Sequence, residues 1–330
     1  MKISVVVPTR NRSQLLAQAL AGIHDQGHAD LELIVVDDGS TPQEASRNEE
    51  LTRAARDGAS YVYLEGGDRH GSGPSIVRNA GLQRATGTLI AFCDDDDFWC
   101  EPDFLARVDA AYALHPDLDL VLANQRALRD GVPAYEVWQP VLLAALAGRR
   151  GAQGECISVS RDELLVSPGT FAHLNTCVFR RALVEELGGF RRDVLYAQDM
   201  DLYVRFVDRM RRALYLDLTV AVHNIPDRSR THNSSSRLSP EDRWLIVHGI
   251  TGHLWLHCQT PEARGYAARL AGEVCRDLAL SCRAAGSYAA AHRWARVAGA
   301  WRPTAKWGVF TLLLGLQAWS RGSRTGLSRA

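Results

Sequence analysis

Residues 88–99 read TLIAFCDDDDFW, an apolar run from Leu89 to Cys93 that delivers four consecutive aspartates, Asp94 to Asp97. A stretch apolar at every position suits a strand covered on both faces of a parallel sheet. Four adjacent carboxylates repel one another, so folding them together calls for a compensating cation. Mg²⁺ or Mn²⁺ meets that need, because such an ion is commonly held by one or two carboxylates, with phosphates and water completing the shell. In an extended segment Asp94 and Asp96 point the same way and can share a ligand. A solvated acidic turn or helix cap is the alternative reading.

Two upstream strands end in the same manner. Residues 3–7 (ISVVV) lead into Pro8-Thr9-Arg10-Asn11, after which Ser13 is placed to cap a helix with an apolar stripe at Leu15, Leu16, Ala19, Leu20 and Ile23. Residues 31–36 (LELIVV) stop at Asp37-Asp38-Gly39-Ser40. A carboxylate there can accept from the imide N–H of a base or from a ribose hydroxyl, or it can simply close an Asx turn or cap a helix. A helix over 43–57, a strand over 61–64, a glycine-rich loop over 66–75 and a helix over 75–86 complete the pattern. Three β-α alternations predict a doubly wound α/β sheet whose site lies at the carboxyl ends of its strands, which gathers these motifs in space.

Downstream, the sequence predicts a helix over 103–114, a strand over 119–123 and a less regular stretch over 126–170, read as a variable acceptor-side insertion. A strand over 176–179, a helix over 181–187 stopped by Gly188-Gly189, a helix over 199–212 and a strand over 213–222 follow. Where that third helix opens, the helix dipole favours a negative charge on Asp199, which can act as a general base, and Asp201 can pair with Arg205 at i+4. Capping alone also accounts for both acids. From Pro240 the pattern is helical, with amphipathic stretches at 244–256, 266–282 and 288–297 forming an appendage.

Thirty-eight acidic and 38 basic residues in a chain of 330 cancel, so no overall field draws the protein to nucleic acid. Seven cysteines without a C-x-x-C pair read as reduced thiols. The N-terminus has no signal-peptide pattern, and the longest C-terminal apolar run is shorter than the ~20 residues of a membrane span. The expected location is cytoplasmic. Trp301 to Trp319, flanked by Arg302, Lys306 and Arg321, is suited to peripheral contact at the inner face of the membrane.

In order and spacing, these pieces resemble glycosyltransferase family 2. The resemblance is carried by Val5-Val6-Val7-Pro8-Thr9-Arg10-Asn11, Val36-Asp37-Asp38-Gly39-Ser40, Arg78-Asn79-Ala80-Gly81, Asp94 to Asp97 with Trp99 and Pro102, and Gly188-Gly189-Phe190 with Gln198-Asp199-Met200-Asp201. It implies a GT-A fold, an α/β mixed sheet with helices on both faces, over 1–235. Residues 1–125 would be the donor-nucleotide half and 126–235 the acceptor half, and 236–330 would form the helical C-terminal region. It further implies inverting transfer of a sugar from a nucleotide diphosphate donor, UDP favoured, to a hydroxyl of a glycan, a lipid-linked acceptor or a small molecule, in cell-surface polysaccharide or glycan synthesis. Self-association is left open.

Carried over by position, Pro8, Thr9 and Asp38 border the base, and Arg78 and Asp95 the nucleoside or donor pocket. Asp94 and Asp96 hold Mn²⁺ or Mg²⁺ and the sugar nucleotide, with Asp97 a substitute ligand. Asp199 is the base. Gln198 stands where Glu is common, and Arg10 where Tyr is common. Trp99, Gln198, Arg230 and His232 fall on the acceptor or diphosphate side, although Arg230 and His232 also fit an ordinary polar loop. Core or surface roles are expected for His223, His248, His253 and His257. Two other functions compete. A nucleotidyltransferase should carry a glycine-rich phosphate loop after the first strand, which Pro8 to Arg12 lacks, and a non-catalytic binding scaffold should have lost carboxylates that are all present here.

Overall fold

The structure is a computed structural model and describes residues 1–65, 71–149, 151, 154–167, 171–225 and 238–326. They form two compact units, one built from the chain up to residue 225 and one from the helices beyond Pro240. The first contains, in order, β1 (Ile3–Thr9), α1 (Ser13–His24), β2 (Leu31–Asp37), α2 (Pro42–Ala55), β3 (Ser60–Tyr63), α3 (Pro74–Arg84), β4 (Leu89–Phe92), β5 (Phe98–Trp99), α4 (Phe104–Leu114), β6 (Leu118–Arg129), β7 (Val132–Tyr135), α5 (Pro140–Leu146), β8 (Cys156–Val159), α6 (Arg161–Leu164), β9 (Cys177–Arg180), α7 (Arg181–Glu186), α8 (Gln198–Arg209) and β10 (Arg212–Ile225).

These strands make one mixed sheet in the order β3-β2-β1-β4-β9-β6-β10-β5, with β7 added to β6 and β8 to β10. β3, β2, β1 and β4 run parallel, as do β6 and β10, and β9 lies antiparallel between β4 and β6. β1 is buried along almost its whole length, and its β-branched residues alternate between two layers. Val5 and Val7 join Leu16, Leu20 and Ile23 of α1 and Phe104 and Val108 of α4 in one core. Val6 faces α3, where a Cβ on Gly81 would lie 2.3 Å from its methyl. Phe179 of β9 meets Phe206 of α8 on that same second face. Helices therefore cover both faces, as the α/β reading expects.

Two local expectations need correction. Ser13 does not cap α1 but begins it; Arg12 holds the cap position without a capping bond from its side chain, and Glu44 of α2 accepts from the Ser13 N–H at 2.9 Å. The stretch over 126–170 is also more regular than its Gly, Arg and Pro content predicts. β6 continues to Arg129 because β10 runs parallel beside it, and β8 finds β10 as an antiparallel partner. Such long-range pairing overrides weak local propensity.

The second unit comprises α9 (Pro240–His257), α10 (Pro261–Ala284), α11 (Tyr288–Trp301) and α12 (Ala305–Gly326). Ser239 and Thr260 cap α9 and α10 through their hydroxyls, and Pro follows each, the favoured order for a helix start. Among the described residues no helix is long and apolar enough to cross a membrane.

Candidate active site

β1, β2 and β4 end side by side, at the point where strand order reverses around β1. That is where open α/β sheets bind ligands. The acidic run after β4 is not extended, because the Asp97 N–H donates to the Asp94 carbonyl at 3.1 Å and closes a turn. The turn gives each aspartate its own partner. Asp94 pairs with Arg78 of α3. Asp95 accepts from Thr9 Oγ1 at 2.8 Å and from Arg12 at 3.0 Å, and Arg12 reaches Asp96 at 3.1 Å. Asp97 turns inward, 1% exposed, and accepts from the Asn175 amide, from the Asn224 N–H at 2.8 Å and from His223 Nδ1 at 2.9 Å.

Oxygens of Asp94, Asp96 and Asp97 lie within 4.8 Å of one another, as do ligand atoms of Asp97, His173 and His223. An all-oxygen cluster of this kind suits a hard divalent cation. Burial pushes the Asp95 carboxyl up to about 6, against the pull of Arg12. Burial followed by repulsion from Asp97, Asp95 and Asp94 raises Asp96 well above the ordinary range. Burial would raise Asp94 too, but Arg78 outweighs it and holds that carboxyl low. Burial lowers His173, whereas at His223 the adjacent Asp97 overcomes burial and raises the imidazole. The two arginines thus offset only part of the acidic charge.

Arg78 is 6% exposed, and its Nε and Nη1 are buried without a hydrogen-bond partner. A buried guanidinium with unused donors is costly unless an anion arrives. Next to it, Asn79 clamps Phe190 from both sides, accepting from its N–H at 2.9 Å and donating to its carbonyl at 2.7 Å. Arg205 of α8 donates to the carbonyls of Leu187 and Gly189 and to the fully buried Asp201, so α3, the Gly-Gly turn and α8 form one frame. That frame sets Asp199 in the first turn of α8, where its charge acts on Arg78 and His173. Gln198 opens the helix beside it.

Asp38 is 7% exposed and accepts from the backbone N–H groups of Ser72 at 2.7 Å and Gly73 at 3.2 Å. It secures the loop before α3 from the position expected to border the base, and Pro8 and Thr9 flank it at the end of β1. Asp37 is structural, accepting from Ser40 N–H, Asn48 and Tyr61.

Trp99 departs from expectation. Its ring is 2% exposed, packs on Phe104 and donates to the Asn175 carbonyl at 2.7 Å. β5 pairs with β10 and turns the indole into the core. Arg230 and His232 lie outside the described residues.

Residues 4–188 match the sequence profile described as Glycosyl transferase family 2. This chain belongs to that family. It is 32% identical over 39% of its length to an uncharacterized glycosyltransferase of Nostoc, covering 40% of that protein. It is 38% identical over 29% of its length to the GalNAc(5)-diNAcBac-PP-undecaprenol beta-1,3-glucosyltransferase of Campylobacter jejuni, covering 30% of that protein. The chain thus spans less than half the length of these relatives. Among solved structures, Staphylococcus aureus TarS 1–349 in complex with UDP-GlcNAc superposes with a TM-score of 0.64 at 21% identity, over 90% of this chain and 82% of that one. The mannosyltransferase PcManGT of Pyrobaculum calidifontis, in complex with GDP-Man and Mn²⁺, gives 0.57 at 21% identity, over 97% and 86%. The fold is the GT-A type of those structures.

Several residues at the glycosyltransferase site escaped the sequence reading. Asn175 sits in a short 3-10 turn before β9, and its side chain bridges the Asp94 N–H at 3.0 Å and the Asp97 carboxylate. His223, expected in the core or at the surface, binds Asp97, and its ring meets His173 at 4.8 Å and Trp138 at 5.2 Å between centroids. Arg12 had no signal beyond its place after the first strand. Each lies far from the acidic run in sequence: the pairing of β1 with β4 brings in Arg12, that of β9 with β4 brings in Asn175, and that of β5 with β10 brings in His223.

Proposed function

We propose that this protein transfers a sugar from a nucleotide diphosphate sugar, UDP-linked by preference, to an acceptor hydroxyl with inversion at the anomeric carbon. The observation that carries this reading is the buried, half-used guanidinium of Arg78 beside Asp94 and within the electrostatic reach of Asp199. It joins an anion-seeking group, a carboxylate cluster fit for a cation and a separate carboxylate on a helix start. Residues 1–125 supply the donor side, and Asp199 with the chain beyond 126 the acceptor side. The appendage from 236 is a separate helical region.

In this reading Asp38, Pro8 and Thr9 border the base, and Arg78 offers its free donors to the nucleoside or diphosphate. Asp96 and Asp94 would hold Mn²⁺ or Mg²⁺, with Asp97 behind them, and a bound ion would supply neutralisation of the charge on the leaving diphosphate. Asp199 accepts the proton of the attacking hydroxyl, which then displaces the diphosphate in line. Gln198 flanks it on the acceptor side, where Arg230 and His232 are further candidates. The acceptor proposed is a glycan or lipid-linked sugar, in keeping with the undecaprenol-linked acceptor in the name of the Campylobacter relative. The pathway proposed is assembly of a cell-surface polysaccharide or glycan.

Calorimetric titration with UDP, GDP and dTDP, each with Mn²⁺ and with chelator, tests the donor site. Metal-dependent binding of one diphosphate, lost in Asp96→Ala, is expected. A folded protein that binds none of them would overturn the reading in favour of a non-catalytic scaffold.

A further inference from the structure

The last helix of the second unit is apolar on two sides. Its inner side is fully used: Leu314 is 1% exposed in a core with Ala279, Ala291 and Ala295, and Trp307 donates to the Ala295 carbonyl at 2.8 Å. Arg276 and Arg283 lie over the rings of Trp307 and Phe310 at 5.2 and 5.3 Å. The outer side carries Val309, Leu312, Leu313, Leu316 and Trp319, which are 59%, 71%, 53%, 64% and 74% exposed. Their spacing sets them along one face over roughly 15 Å of helix. No charged residue falls between Lys306 and Arg321. A helix apolar all round is normally covered on every side.

The surrounding charge says what covers it. From Leu278 onward the sequence has no aspartate or glutamate and eight Arg and Lys residues, in a chain whose total charge is zero. Arg283, Arg293, Arg296, Arg302 and Lys306 are all exposed, and of these Arg302 also pairs with Glu273 of α10 at 3.6 Å. A second copy docked on the same face would set this predominantly basic cluster against itself, which opposes an isologous contact. Nucleic acid would match the charge and leave the leucines unmet.

We infer that the outer face of α12 docks on an anionic lipid bilayer. The Val309 to Trp319 stripe enters the acyl boundary with the helix lying in the plane of the surface, and Arg302 and Lys306 reach the headgroups. The tryptophan suits that depth, since an indole combines a large apolar ring with one polar edge. This inference stands apart from the catalytic reading, because no residue of the first unit enters it.

The test is flotation of the full chain with vesicles of phosphatidylcholine alone and with vesicles that also contain phosphatidylglycerol, at low and high salt. Co-flotation with the anionic vesicles, weakened by salt, is expected. Leu312→Glu/Leu316→Glu should abolish it. Arg302→Glu/Lys306→Glu, which leaves the apolar stripe intact, should weaken it on the order of tenfold or more. Circular dichroism melts and UDP titration of each variant report folding apart from docking. Absence of flotation, or equal flotation of the charge-reversed variant, would overturn the inference. So would a concentration-dependent dimer by light scattering that Leu312→Glu/Leu316→Glu renders monomeric.

Discussion

Asp94 meets Arg78, Asp95 meets Thr9 and Arg12, Asp96 meets Arg12, and Asp97 meets Asn175, His223 and Asn224. Such division of labour means that substitutions within one run should have distinct phenotypes. Asp199→Asn removes a proton acceptor while keeping the side-chain shape, so turnover should fall ~10²- to 10⁴-fold with UDP affinity unchanged. Steady-state transfer assays alongside calorimetry separate the two effects, and an equal loss of UDP binding would place Asp199 in the donor pocket. Asn175→Ala strips partners from the Asp94 N–H and the Asp97 carboxylate, both buried or nearly so. It should cost about 1–3 kcal/mol in urea unfolding and weaken donor binding as well, because the acidic turn loses its brace.

Between elements, the junctions are more exacting than the helices and strands they join. Gly189 has φ of 67°, and a Cβ there would lie 2.5 Å from Asn79 Oδ1, inside the clamp that holds Phe190. Gly189→Ala should therefore destabilise by more than the ~1–2 kcal/mol of a left-handed backbone alone, read as a lowered urea midpoint. At the far end of the sheet, Glu32 of β2 receives Ser4, the Thr86 N–H and hydroxyl, and Lys2; burial would raise its pKa, but these donors bring it to about 2 from an ordinary 4.5. A depressed carboxylate stabilises fully above the unfolded value and loses that contribution as pH falls through the folded one. Glu32→Gln should thus melt lower than the parent at neutral pH, with the gap closing between 4.5 and 2 in a pH series of melting curves. Strands such as ISVVV and LELIVV were legible because every residue but Ser4 and Glu32 is apolar and agrees with burial on two faces. The insertion of β9 between β4 and β6 was not, because pairing between segments so distant leaves no local period. The acids were readable for the same reason that their partners were not: four charges in a row are conspicuous, whereas Asn175 and His223 look like any polar residue until the sheet closes.

For the whole molecule, the proposed boundary near residue 125 does not divide the fold, which is one compact unit on both sides of it. β6 begins before it, while β9 and β10, which flank it in the sheet, come after it. A fragment of residues 1–125 should fail to give a cooperative thermal transition by circular dichroism, since β4 and β6 would each present unpaired backbone. The antiparallel seat of β9 also bears on how the chain emerges from the ribosome. Synthesis delivers β4 and the acidic turn early, with their inner edge open, and the strand that shields that edge arrives only after β7, α5, β8 and α6 have been made. During that interval a nascent chain carries a bare, apolar strand, and Asp97 still lacks Asn175, His223 and Asn224. Chaperone engagement, or a pause in translation, would matter most in that window.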